Sequence, residues 1–246
     1  MKKEIIFVSG IDTAIGKSYA TGFLAREWNR EGIKTITQKF IQTGNTEISE
    51  DIEVHRQIMG TGLVEADRER LTMPEIFTYP CSPHLAAEID HRDIDFDKIE
   101  QASQALLKSY DRVLLEGAGG LMVPLTRDLL TIDYVAQKNY PLILVTSGRL
   151  GSINHTLLSL EAIEKRGIRL HSVLYNLYPE NEDKIIQHDT EEYIRTWLER
   201  HFPETEFIRV PCLKRQPQKA RQLFLKRRIV FMKRLRPFNE NDSTFF

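Results

Sequence analysis

The sequence predicts an α/β chain built as a three-layer, open, mostly parallel sheet with helices on both faces. Three observations carry that expectation. Short apolar runs alternate with helix-length segments along the chain, the pattern of repeated strand–helix units. The run 141–146 is so apolar that both of its faces must be covered, as in a parallel sheet. A glycine-containing segment ending in Gly16, Lys17 and Ser18 follows the first apolar run and opens a helix.

The elements follow in order. Ile5, Ile6, Phe7 and Val8 form the first buried strand. Residues 17–31 read as a helix with Phe23, Leu24, Ala25 and Trp28 on its apolar side, stopped by Gly32. The β-branched segment 33–37 is a strand that delivers Lys39 at its far end. Polar residues 42–50 read as a loop and 51–59 as a helix. The stretch 60–95, with three prolines and many charges, reads as loops and short helices over the sheet edge. A helix covers about 96–109, with Asp97 as its cap. Arg112, Val113, Leu114 and Leu115 form a strand ended by Glu116 and the glycine-rich 117–120. Helix 128–138, strand 141–146, helix 152–165 and strand 171–175 follow, the last ending at Asn176. Helix 182–200 and the short strand 206–210 before Pro211 complete the alternation.

The C-terminal stretch differs in kind. From Lys214 to Arg236 there are ten Lys or Arg and no acidic residue, with Leu223, Phe224, Ile229, Val230, Phe231 and Leu235 interspersed. It reads as a helix that packs its apolar residues on the domain and solvates its charges. A basic amphipathic helix meeting anionic lipid or RNA is the alternative. Residues 239–246 read as a frayed end. The expectation for the whole chain, 1–246, is one domain with an atypical basic segment at 214–246.

At 246 residues the chain can bury one substantial core. With 34 Lys and Arg against 35 Asp and Glu, its formal charge of -1 gives no global argument for a nucleic-acid partner. Cys81 and Cys212 are the only two cysteines, expected as free thiols in a reducing compartment. No secretory core or membrane span is visible, so the expected setting is the cytosol, without a membrane partner.

The chemistry collects beyond the carboxyl ends of the expected strands. Between Gly10 and Gly16 lie five residues, one more than in the ordinary phosphate-loop expression. The loop's N–H groups and the helix N-terminus can hold phosphate oxygens. Lys17 can neutralise the outer phosphates, and the Ser18 hydroxyl can ligate Mg2+. A cation in the first turn of a helix is unfavourable by roughly 0.3–1 kcal/mol unless an anion compensates it. Glu116, an acid directly after an apolar strand and before glycines, stands where a Mg2+ ligand is kept; Asp51 is a second candidate ligand. Lys39 is a second cation for developing phosphate charge. His84, in a loop with Ser82 and Pro83, is a better candidate for ligand contact than His188 or His201. Nothing in the chain reads as a Ser-His-Asp triad, a zinc-like Cys/His spacing or a dinucleotide fingerprint. Residue chemistry alone stops at a Mg-ATP-dependent transferase or ligase acting on a small molecule.

The segment Gly10, Ile11, Asp12, Thr13, Ala14, Ile15, Gly16, Lys17, Ser18 resembles the phosphate loop of the dethiobiotin synthetases, with the same five-residue spacing. The likeness continues in Lys39, in Thr43 with Gly44, and in Ser82, Pro83 and His84. It runs on through Glu116, Gly117, Ala118, Gly119 and Gly120, then Leu150, Gly151, Ser152, Ile153, Asn154 and His155, then Asn176 and Pro211. These blocks span about 200 residues in family order. Position 18 is Ser where Thr is usual, and Phe40 replaces the usual Pro. After Pro211, Cys212 and Leu213 lead into the basic stretch rather than an apolar–acidic segment.

The resemblance implies a P-loop NTPase-like fold with a deviant phosphate loop, and a homodimer. It implies that 7,8-diaminononanoate, CO2 and ATP are the substrates and dethiobiotin the product. One amine captures CO2 as a carbamate, whose oxygen attacks the γ-phosphate. The second amine then attacks the carbonyl of that mixed anhydride and expels phosphate. Lys17, Lys39, Thr13 and Ser82 take catalytic roles in this scheme. Asp12, Thr13, Ala14, Ile15, Gly16, Lys17, Ser18, Glu116 and Gly119 bind the nucleotide phosphates. Asn176, Pro211, Cys212 and Leu213 flank the base. Ser18, Asp51 and Glu116 hold Mg2+. Thr13, Lys39, Thr43 and Ser82 contact the diamine and carbamate. Gly151, Ser152, Ile153 and Asn154 of a second copy, with Tyr193, take the distant carboxylate. The rival readings are an amide-forming enzyme of the same broad class, and a nucleotide-binding regulator or partitioning-type ATPase.

Overall fold

The computed structural model describes residues 3–178 and 183–212. Six parallel strands form the main sheet, in the spatial order β2 (Thr35–Lys39), β5 (Arg112–Gly120), β1 (Glu4–Gly10), β6 (Leu142–Ser147), β7 (Leu170–Asn176) and β8 (Glu206–Val210). All pair in parallel, so every carboxyl end lies on one edge. The buried central strands have near-continuous apolar sequences, because helices cover both faces. Helices α1 (Lys17–Arg30), α2 (Glu50–Met59), α5 (Phe96–Ser109), α6 (Thr131–Gln137), α7 (Ser152–Lys165) and α8 (Lys184–His201) supply that cover, with short α3 (Glu65–Arg68) and α4 (Pro83–Ile89) between β2 and β5.

The structure refines the expected boundaries. Strand β5 runs through Gly120 instead of stopping at Leu115, because Gly120 still pairs with Gly10 after a register shift. Residues 42–50, expected as loop, contain β3 (Gln42–Thr43), which pairs in parallel with β4 (Ile76–Phe77) from the irregular stretch. Helix α6 begins at Thr131 rather than 128, because Leu125 N–H bonds Leu129 O and Pro124 bridges Leu130. Helix α5 is capped by Asp95, whose side chain accepts from Lys98 N–H at 2.8 Å, while Asp97 sits in the first turn. Leu213, the basic stretch 214–236, the end 239–246 and the expected start of the last helix at 182 lie outside the described residues.

Two features of this frame set up the functional edge. Lys39 of β2 and Glu116 of β5 are register partners, so their side chains leave the sheet side by side. Helix α2 is capped by Ser49, whose hydroxyl accepts from Ile52 N–H at 3.3 Å, and packs on α1. That packing carries Asp51 to the end of β2 and β5.

Candidate active site

The loop 10–16 turns at two left-handed residues, Ala14 (φ 59°) and Gly16 (φ 81°). Gly16 is required twice over. Its backbone is left-handed, and a Cβ there would sit 2.3 Å from Asn176 Nδ2. Asn176, at the end of β7, donates to Ile15 O at 2.8 Å and to Tyr178 O at 3.1 Å, and accepts from Tyr178 N–H at 3.1 Å. The far side of the loop is tied by Asp12, which accepts from Thr13 N–H at 2.7 Å and pairs with Arg149. That backbone bond, helped by Arg149 against the effect of burial, holds the Asp12 carboxyl below its ordinary value.

Lys17 opens α1 with no acidic residue in the first turn. It is only 8% exposed, and among the described residues its Nζ has one acceptor, Asp12 O at 3.3 Å. Burial, reinforced by the Lys39 ammonium, pushes its pKa down against the pull of Glu116 and Asp51. A buried, poorly paired cation at a helix N-terminus is a place built for an anion.

The second half of the site is a cluster of oxygens and a lysine. Ser18 Oγ lies 2.5 Å from Asp51 Oδ1 and 3.0 Å from Glu116 Oε1. Lys39 Nζ lies 2.5 Å from Asp51 Oδ2 and 3.0 Å from Glu116 Oε1, and donates to Gly117 O at 3.2 Å. Burial works against the charge on Lys39, but Asp51 and Glu116 hold its pKa above the ordinary lysine value. Glu116 is fully buried, which by itself would raise its pKa. Lys39, the His55 hydrogen bond and Lys17 hold it well below the usual carboxylate range.

Among the described residues no three His, Cys, Asp or Glu converge as a closed metal centre. What converges is one hydroxyl and two carboxylates, all hard oxygen donors, beside a phosphate-binding loop. That set fits a cation such as Mg2+, which takes one or two carboxylates and completes its shell with water and phosphate oxygens.

The structure therefore brings together Lys17, Ser18, Lys39, Asp51 and Glu116. Thr13 faces the same edge, its hydroxyl 3.8 Å from where a Cβ on Gly119 would lie. Thr43 lies on β3, and Gly44 beside it closes on Pro80, two residues before Ser82, the N-cap residue of α4. Pro211 accepts from the Tyr19 hydroxyl at 2.9 Å, and the Tyr19 ring stacks on Tyr178 at 4.6 Å; Cys212 follows as a free thiol. Gly151 (φ 91°), Ser152, Ile153 and Asn154 start α7, with Ser152 Oγ buried 3.0 Å from Ser147 Oγ. Asn154 is exposed and Tyr193 lies half-exposed on α8. Among the described residues no hydrogen bond joins either to the carboxylate cluster.

Three side chains were missed at the sequence level. His55 is fully buried, its Nε2 2.8 Å from Glu116 Oε2. It lies four residues after Asp51, so the helical period alone places both on one face. Arg149 reaches Asp12 from just beyond β6, and Tyr178, just beyond β7, stacks on Tyr19 of α1; nothing local marks them.

A family model described as an AAA domain matches residues 4–213, ending where the basic stretch begins. The chain is 50% identical over 204 residues to the ATP-dependent dethiobiotin synthetase BioD 2 of Pasteurella multocida, covering 83% of this chain and 95% of that one. It is 56% identical over 177 residues to the Haemophilus influenzae protein of that name, covering 72% and 93%. The chain belongs to the dethiobiotin synthetase family. The Chlorobaculum tepidum synthetase is 51% identical over 201 residues, covering 82% of this chain and 84% of its own length. Among solved structures, a putative plasmid partition protein of Borrelia burgdorferi bound to AMPPNP superposes with a TM-score of 0.51 at 11% identity, covering 95% and 99%. The ParA of pNOB8 gives 0.50 at 13% identity, covering 92% and 93%. These last two establish the P-loop NTPase fold and nothing finer.

Proposed function

We propose that this chain makes dethiobiotin, using ATP to carboxylate 7,8-diaminononanoate with CO2 and close the ureido ring. The observation that carries the reading is the convergence of two buried lysines with Ser18, Asp51 and Glu116 at the phosphate loop, in a chain about half identical to ATP-dependent synthetases.

Each residue has a task that its position supports. The N–H groups of 12–18 cradle the nucleotide phosphates, and Lys17 meets the outermost one. Lys39 lies where it can touch both that phosphate and the carbamate formed on one substrate amine. As the carbamate oxygen attacks the γ-phosphate, charge builds on the phosphoryl oxygens, and two lysines held in place beforehand stabilise it. The second amine then attacks the carbonyl and phosphate leaves. Thr13, Thr43 and Ser82 line the diamine side and keep the amines in line, which supplies rate through positioning. Water kept from this corner spares the mixed anhydride.

Ser18, Asp51 and Glu116 would hold Mg2+, which when bound supplies Lewis-acid neutralisation of phosphate charge. Asn176, Pro211 and Cys212 flank the base, with Gly119 near the phosphates. The helix start at 151–154 and Tyr193 take the distant carboxylate of the substrate across a homodimer. The free thiols Cys81 and Cys212 suit a reducing cytosol. The test is mass-spectrometric detection of dethiobiotin from diaminononanoate, bicarbonate and Mg-ATP. Product absent with every component present overturns the reading.

A further inference from the structure

Resting on the magnesium reading above, we propose that His55 is a positioning residue that occupies one oxygen of Glu116 and leaves only the other for the cation site. It thereby sets the Mg2+ affinity of the enzyme.

The two oxygens of Glu116 live in different surroundings. Oε1 faces the site, where it accepts from Ser18 Oγ and Lys39 Nζ, both at 3.0 Å. Oε2 faces away, toward His55 Nε2 at 2.8 Å. The final torsion of a glutamate is broad and weakly held by itself, so a carboxylate without a fixed partner is free to turn. A donor on Oε2 stops that rotation and commits Oε1 to the site.

The ring is delivered by close helix packing. His55 is fully buried on α2, one turn after Asp51. Its Cα lies 3.1 Å from where a Cβ on Gly22 of α1 would be, so the glycine lets α2 approach closely enough. One helix thus supplies a direct oxygen donor, Asp51, and the group that orients the other acid.

The second ring nitrogen shows what the first is for. Beside the Lys39 ammonium, 3.0 Å from its Oε1, Glu116 is a carboxylate, which can only accept, so His55 Nε2 is the donor. His55 Nδ1 is buried and has no hydrogen-bond partner among the described residues. An imidazole kept for packing alone would be expected to satisfy both nitrogens or give way to an apolar side chain. Here one nitrogen is left unmatched and the other is engaged with Glu116.

The experiment compares His55→Leu, His55→Met and His55→Gln in the full-length chain. Binding of a non-hydrolysable ATP analogue is followed by calorimetry in EDTA and then over a Mg2+ series. The Mg2+ concentration giving half the enhancement should rise roughly 10–100-fold in the Leu and Met variants, as when the partner orienting a metal ligand is lost. His55→Gln keeps an amide donor where Nε2 was and should stay close to wild type. Binding in EDTA should be unchanged in all three. A Leu or Met variant that responds to Mg2+ like wild type overturns the proposal, as does a Gln variant shifted as far as they are. If one apolar variant fails to fold, the other decides. A wild type whose analogue binding ignores Mg2+ while dethiobiotin is still formed overturns both this proposal and the magnesium assignment. Absence of product overturns the functional reading itself.

Discussion

Helix α2 carries two buried charge clusters one residue apart, and they are built to opposite standards. Arg56 directs its Nε and Nη2 at the two oxygens of Asp67, both at 2.8 Å, and donates to Thr37 Oγ1 at 2.8 Å and Thr37 O at 3.2 Å. Asp67 in turn accepts from Thr72 Oγ1 at 2.6 Å and Val64 N–H at 2.8 Å. That cluster is saturated. The neighbouring one, around Lys17, Lys39, Asp51, His55 and Glu116, is not. Lys17 has one long acceptor, and His55 Nδ1 has none among the described residues. A buried ionic group with every bond made fixes the fold. One with donors left over is waiting for a ligand, and its incompleteness costs stability that function recovers.

Substitutions in the two clusters should act in opposite ways, and the largest effect belongs to the saturated one. Arg56→Met strands a buried Asp67 and should cost about 3–5 kcal/mol in denaturant unfolding. Turnover per folded molecule should stay near wild type, and pairing it with Asp67→Leu should restore much of the stability. At the unsaturated cluster the signs reverse. Lys17→Gln should lower kcat by about 10²–10³-fold, roughly 2.7–4 kcal/mol on the barrier. Its melting temperature should be unchanged or higher, since a buried cation repelled by Lys39 has been removed. A melting temperature that collapses would make Lys17 a structural residue.

Acid sharpens the contrast further. Burial would raise the Asp67 carboxyl, but Arg56, Thr72 and the Val64 N–H together hold it below its ordinary value. A carboxylate depressed in the folded state lends stability above its unfolded value of about 3.9, lost as pH falls through the folded value. The stability gap between wild type and Asp67→Asn should therefore be widest near neutrality and close below about pH 4. A gap independent of pH would remove Asp67 from the acid limb. The smallest effect is expected at Asn176→Ala, which frees Ile15 O and should weaken nucleotide binding by about 1 kcal/mol with kcat little changed.

Much of the candidate site was legible because its parts are local. A strand, a turn and a helix start announce Lys17 and Ser18, and an acid between an apolar strand and glycines announces Glu116. The parallel alternation placed all of them on one edge, and the sheet order follows that logic. The rest rests on contacts that leave no local mark. Strands β3 and β4 are two residues each, too short to show a period. Arg149 meets Asp12 across 137 residues. His55 was different: its spacing from Asp51 carried the signal, but an isolated histidine on a helix reads as an ordinary core or surface residue until its partner is known. Asp95 displaced Asp97 as a cap because either acid could precede that helix, and geometry chose.

The proposed function makes the unsaturated cluster a phosphoryl-transfer site that turns over only with a small diamine present. The most direct measurement is phosphate release from Mg-ATP with and without 7,8-diaminononanoate and bicarbonate, in wild type and Lys17→Gln. Release in the wild type should depend on both additions and should fall by about 10²-fold or more in the variant. Release that is equal without the diamine, or that stays near the wild-type rate in Lys17→Gln, would contradict the proposed function.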